Sequence, residues 1–254
     1  MRKAAAVLLL ALLAGACSPA SPPPAFGDAR ALADAATAAT TSGGSAKFAT
    51  DVAVGSVRSK GQGQARFGAG GTSQVLTTDF IGEPMELRLV AGKLYAKVPE
   101  GSRDQVGSGK PWVEVAPDGT DPFSQVLGGS LGQLAAQNDP AHTLGEIAAA
   151  GTIVSAERTD LGGTGAEHYR VDLDLAKLGA DLPAGLSADE VGQLGGKFPV
   201  ELWLDDAHRP LQIVFDLSPI LPGSGAKITT RYTEWGGPVD VQAPPPDQVG
   251  TLTP

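Results

Sequence analysis

The chain has 254 residues, 42% of them hydrophobic, and its 28 Asp and Glu against 19 Lys and Arg leave a net charge of −9. Length and apolar content suffice for one large domain or two small ones, and the acidic balance excludes nucleic acid as a partner, because phosphate backbones select basic patches. One cysteine rules out an internal disulfide, while 34 Gly and 20 Pro predict many turns, as an all-β or α+β chain needs.

Arg2 and Lys3 open the chain, an uninterrupted apolar run follows from Ala4 to Leu13, and small Ala14, Gly15 and Ala16 precede Cys17. A charged start, an apolar middle and a small-residue cleavage zone predict a secretory signal peptide. The run is about half of the roughly 20 residues that a membrane-spanning helix requires. Small residues ending at a cysteine resemble the lipobox of bacterial lipoproteins, with Ala14 standing where that motif usually has Leu. The resemblance implies cleavage before Cys17, a diacylglyceryl group on its thiol and often acylation of the new amine. Two or more acyl chains hold a bilayer stably where one does so marginally, so the mature chain is expected on the outer face of the plasma membrane, anchored through Cys17. An unmodified thiol in an ordinary secreted protein is the plainer alternative. A catalytic cysteine would call for a histidine partner, and none lies near it in sequence.

Residues 1–16 are thus expected as signal peptide and 17–27 as a lipidated, Pro-rich tether (SPASPPPAFG from Ser18), extended at about 3 Å per residue. A single domain is expected over 28–246, with 247–254 as a C-terminal tail. Asp28 caps a helix to about Thr41, on which Ala29, Leu32, Ala33 and Ala36 recur at i, i+3, i+4, i+7; Gly43 and Gly44 stop it. Ala46, Phe48, Thr50, Val52 and Val54 then alternate with polar or small residues, the period of a half-buried strand. Residues 56–67 are polar and Gly-rich, which reads as an edge strand. Val75 to Phe80 is a strand, and residues 85–90 and 93–98 form a hairpin around Ala91-Gly92. A polar loop from Gly101 to Lys110 leads to a strand at 112–115. Residues 122–136 and 140–150 read as helices capped by Asp121 and Asp139, with Pro at the first helical position and Gly151 as the stop. Strands return at 152–159 and 167–175. A capping box, Ser187-x-x-Glu190, opens a short helix. A hairpin over 199–206 and 210–217 and a strand over 227–235 follow. The Pro-rich tail begins at Gly236, with one edge pairing expected at Val239 to Val241. About ten antiparallel strands with three or four inserted helices make an α+β fold.

The motif search yields little chemistry. Gly128-Gly129-Ser130-Leu131-Gly132 matches G-x-S-x-G, the nucleophile elbow of hydrolases, which needs a strand-to-helix turn in a parallel sheet and a later acid and histidine. A Ser130 esterase is therefore a possible reading, set against a plain interhelical loop in a Gly-rich chain. His142, His168 and His208 have no metal-ligand spacing. Asp205-Asp206 reads as hairpin-turn chemistry more readily than as a calcium site, which needs further oxygen ligands. No metal and no cofactor is expected. Phe48, Tyr95, Trp112 and Trp203 sit within strands, where they either fill a core or line a cavity. Strand alternation places Phe48, Val52, Leu87, Leu89, Tyr95, Leu202, Leu204, Ile213 and Phe215 on one face.

KLYAKVP (93–99), KPWVEV (110–115), EHYRVDLDL (167–175), PVELWLDDAHRPLQI (199–213) and YTEWGGPVDVQAPP (232–245) together resemble the LppX/LprAFG family of actinobacterial lipoproteins, related to the LolA/LolB carriers. The likeness runs from about Ala29 to Pro246. It implies a strongly curved antiparallel half-barrel, LolA/LolB-like, whose concave face is covered by helices and encloses an apolar cavity for acyl chains. It also implies a monomer that carries lipid or glycolipid from the plasma membrane toward the cell envelope, with the residues named above lining the cavity and a membrane transporter or envelope protein as partner. No catalytic residue is carried over. The competing expectation is an envelope lipoprotein with a closed core that binds a protein partner.

Overall fold

The computed structural model describes residues 26–80, 83–116, 119, 121, 124–125, 129–178, 196–219 and 223–252. The signal peptide, Cys17 and the Ser187 capping box lie outside them. Helix α1 (Ala29–Gly43) begins where the Asp28 carboxylate accepts from Ala31 N at 2.8 Å, and ends at Gly44, whose φ of 72° only glycine adopts freely. Its buried stripe, Leu32, Ala33 and Ala36, packs on α4 (Pro140–Ala150). Asp139 caps α4 through Ala141 N, and Asp121 accepts from Ser124 N, as their spacing predicts. The helix expected from residue 122 is described from Gly129 to Gln137 (α3), and the polar loop before the 112–115 strand holds a single turn, α2 (Arg103–Val106).

The strands are β1 (Ser45–Val54), β2 (Val57–Arg66), β3 (Ser73–Phe80), β4 (Glu83–Val90), β5 (Lys93–Lys97), β6 (Trp112–Val115), β7 (Gly151–Leu161), β8 (Thr164–Asp174), β9 (Lys197–Leu204), β10 (Pro210–Asp216), β11 (Lys227–Thr233) and β12 (Val249–Gly250). They form one curved, unclosed 12-stranded sheet in the order β12-β6-β5-β4-β3-β2-β1-β11-β10-β9-β8-β7. Neighbours are antiparallel except β12, which pairs parallel with β6.

Register settles which side chains share a face. Phe48 stands opposite Tyr232 and Gly63, Leu76 opposite Gly63 and Leu87, and Leu202 opposite Ile213 and Tyr169. This is the inner face. The helices lie over it: Gln74 Nε2 donates to Ala135 O at 2.6 Å, and Tyr232 OH donates to Asn138 O at 3.3 Å. Under α1 and α4 it is closely packed, with Phe198, Val200, Leu202, Leu204, Tyr169 and Leu173 essentially without solvent contact. Each such side chain contributes about 1.5–3 kcal/mol by leaving water.

Two expectations are corrected. Residues 57–66 are an interior strand, not an edge: β2 pairs with β1 on one side and β3 on the other. Its glycines are there because the Phe48 ring occupies the space a side chain at Gly63 would need. The tail, likewise, does not pair at Val239 to Val241. It crosses the outer face as a strap. Ser45 Oγ donates to Gly237 O at 2.7 Å, Asp240 N donates to the Gln64 side chain at 2.9 Å and Arg88 Nη1 donates to Gln242 O at 3.1 Å. The strap ends in β12 beside β6, so Val249 and Gly250 are built into the sheet.

The chain enters the domain through a buried latch. Phe26 N donates to Tyr169 OH at 3.0 Å, and that hydroxyl donates to Glu167 Oε2 at 2.5 Å. Burial, reinforced by the bond to Glu167, pushes the Tyr169 phenol up to about 12. The Phe26 ring meets His208 edge-on, centroids 5.1 Å apart.

Candidate functional site

Phe48, Val52, Leu87, Leu89, Leu202, Leu204, Ile213 and Phe215 all fall on the inner face. Tyr95 does not. It is the register partner of Arg88 and Glu114, which places it on the outer face. Trp112, opposite Lys97, and Trp203, opposite His168, are outer-face residues too. The Arg88 guanidinium lies 4.5 Å over the Trp112 ring, and His168 stacks on Trp203 at 4.1 Å with both ring nitrogens toward carboxylates, Glu201 at 3.0 Å and Glu157 at 3.4 Å.

Most of the inner-face residues are locked in packed core. Among the described residues, Leu89 is one that borders open space, at the β4–β6 end. There a hollow of about 430 Å³ opens between the sheet and α3. Its sheet wall is Leu89, Leu94, Val115 and Ala116, and its helix wall is Gly132, Ala135 and Ala136. Its polar lining is Lys93, bonded to Glu114 at 2.9 Å, with Asp139 and His142. Burial raises the Asp139 carboxyl above its ordinary range against the pull of its hydrogen bonds to Thr72 and Ala141 N. Inward polar side chains from three strands hold the α3–α4 junction in place above the sheet. Gln74 of β3 and Tyr232 of β11 bind the carbonyls of Ala135 and Asn138, and Thr50 of β1 binds the Asn138 side chain.

Leu94 and Val115 were missed by the reading of the sequence, although a signal existed. A two-residue turn fixes the pairing on both sides of it, so Ala91-Gly92 sets Leu89 opposite Leu94 and leaves Tyr95 on the other face. The α3 wall carried no comparable signal. A second hollow, of about 290 Å³, is a different environment, lined by Glu86, Lys97, Glu100 and Arg103. Burial pushes the Glu86 carboxyl up, but hydrogen bonds from Arg88 and Lys97 outweigh it and hold it below the usual range.

Ser130 lies in the first turn of α3. Among the described residues the preceding strand ends at Val115, so no strand turns directly into the helix as a nucleophile elbow requires. Asp205 accepts from Ala207 N, Arg209 N and the Arg209 side chain, the local turn chemistry expected of it. Among the described residues no cluster of three or more His, Cys, Asp or Glu could hold a metal, and no helix is long and apolar enough to cross a membrane.

No family model and no curated protein matches the chain. Solved structures do. The Mycobacterium tuberculosis lipoprotein LppX shares 14% identity over 84% of this chain and 98% of its own, with a TM-score of 0.51. Mycobacterium bovis LprF shares 16% over 85% and 96%, with a TM-score of 0.46. The Pseudomonas aeruginosa MucA/MucB complex contains a chain at 15% over 89% and 63%, with a TM-score of 0.42. The likeness to LppX shows the fold: the curved, unclosed sheet under helices that the strand pairs imply.

Proposed function

We propose that this protein is a membrane-anchored lipoprotein that holds acyl chains of a lipid or glycolipid in the hollow between β4–β6 and α3, and carries them from the plasma membrane toward the cell envelope. The observation that carries this reading is the hollow itself. About 430 Å³ with aliphatic walls and a few polar groups falls within the 300–1,000 Å³ of ligand pockets. The LppX-like fold supports the same reading. Each buried methylene contributes about 0.8 kcal/mol, so about five to nineteen of them offset an association cost of order 4–15 kcal/mol without any charged contact. Anchoring rests on Cys17: Cys17→Ser is expected to move the protein from the membrane to the soluble fraction, and a variant that stays on membranes through a high-salt wash overturns it.

The test of binding compares two bulky substitutions on one face. Leu89→Trp puts a ring into the hollow, and should displace co-purifying lipid while changing stability by less than about 1.5 kcal/mol, since it fills space the ligand occupied. Leu202→Trp puts the same ring into close-packed core, and should destabilise by roughly 1–3 kcal/mol or more. Native mass spectrometry of protein purified from its own membranes reads occupancy, and denaturant midpoints read stability. Wild type without an acyl ligand, or Leu89→Trp as damaging as Leu202→Trp, refutes the reading.

A further inference from the structure

We infer that the rim of the sheet bearing the mouth of the hollow faces the bilayer to which the chain is tethered, so that lipid passes between leaflet and hollow without crossing water. The inference rests on the proposed lipid-binding function and on the anchor at Cys17.

Antiparallel pairing puts alternate strand ends on one rim. Followed through the register, that rim carries the end of β6, the β4–β5 turn, the β2–β3 loop, the start of β1, the end of β11, the β9–β10 turn and the start of β8. The hollow reaches that rim, where Gly92, Lys93 and Ala116 line it. So is the point where the N-terminal segment leaves the domain, fixed by Phe26 on Tyr169 and His208. Tether and mouth therefore share a rim, although six strands lie between them in the sheet order.

Reach decides which rim can touch the membrane. From Cys17 to Ala25 is nine residues, about 30 Å at full extension. The ten-residue β1 separates the rims by about 34 Å. A taut tether folded back along the body falls short of presenting the far rim to the bilayer, whereas the near rim needs almost none of its length. Charge agrees. The chain is acidic overall, yet the rim segments beside the mouth, residues 67–73 (FGAGGTS) and 90–92 (VAG), carry no ionisable side chain, and Lys93 is tied to Glu114. These two segments bring no carboxylate of their own to anionic headgroups, and Glu114 beside them is paired with Lys93.

The experiment uses the lipidated full-length chain in phosphatidylglycerol–phosphatidylcholine vesicles. The Cys17 sulfur is blocked by acylation, so Ala91→Cys at the mouth, Ser56→Cys on the far rim and Gln62→Cys on the outer face can each carry an environment-sensitive fluorophore. A lipid-borne nitroxide should quench the Ala91 label several-fold more than the others. Equal quenching, or stronger quenching at position 56 or 62, overturns the orientation. Ala91→Asp adds a charge at the mouth, at a φ of 51° that Asp tolerates. It should slow lipid transfer from vesicles about tenfold with occupancy at equilibrium unchanged; an unchanged rate also counts against the inference. Native mass spectrometry of the same samples keeps the two ideas apart. An occupied hollow with the far rim at the bilayer refutes the orientation alone, and an empty hollow refutes the carrier reading.

Discussion

Gly63→Val is expected to destabilise the domain by about 3 kcal/mol or more, the upper range for overpacking a filled site. Gly63 sits on the inner face of interior strand β2, opposite Phe48 and Leu76. A Cβ added there would stand 2.9 Å from Phe48 Cε1, and closer still to Phe48 Cζ and the Val75 carbonyl oxygen. The aromatic ring has somewhere to go only by leaving its contact with Tyr232, 6.5 Å away between centroids, and the carbonyl belongs to the β3 backbone. Relief would therefore have to come from the sheet itself. Gly61→Ala two residues earlier is the control. Its Cβ would meet the movable end of Leu76 at 3.1 Å, and losing a strand-interior glycine gains about 0.5–1 kcal/mol, so a net change within about 1 kcal/mol is expected. Phe48→Ala combined with Gly63→Val should cost less than the two separately, because they share one space. Denaturant midpoints of the four variants decide it. A Gly63→Val protein with a wild-type midpoint would mean that Phe48 does not fill that position.

Deleting residues 239–254 is expected to cost about 2–4 kcal/mol and to loosen the β5–β6 end of the sheet first. The strap buries Val241, worth about 1.5–3 kcal/mol, and lays Leu252 against the core. Hydrogen bonds from Arg66, Arg88 and Ser108, and one from Asp240 N to the Gln64 side chain, hold it, each contributing about 1 kcal/mol net. The Arg88 that binds Gln242 O also covers Trp112, and β12 is the register partner of Trp112 and Val113. Removing the strap should therefore shift tryptophan emission to the red and speed hydrogen exchange in β6, while β8–β10 keep their protection. An unchanged midpoint and emission would show the strap to be an ornament on a sheet complete without it.

Strand alternation carried the inner face correctly wherever a strand ran long beside a recognisable turn: Leu202, Leu204, Ile213 and Phe215 share it with Leu87 and Leu89. It misled at Tyr95, where the eye follows the aromatic ring and the turn dictates Leu94. Caps were legible because a cap is local. Asp28, Asp121 and Asp139 each bond an amide two or three residues on. The hollow was not legible. Of the residues expected on the inner face, Leu89 borders it, and its other described walls come from β5, β6 and α3.

By itself, then, the sequence determined what depends on neighbours along the chain: the capped helices, the hairpin turns and the alternating strands, from which the α+β class follows, while the half-barrel plan came from the resemblance to the LppX/LprAFG family. Only the tertiary structure decided what depends on partners far apart in sequence. It made the glycine-rich β2 an interior strand, because Phe48 fills the space its glycines leave. It turned the Pro-rich tail into a strap ending beside β6, because Gln64 and Arg88 offer bonds to that backbone and none to a free tail. And it set a hollow beside α3, where Gly132, Ala135 and Ala136 face Leu89 and Leu94, while the described side chains under α1 and α4 pack closely.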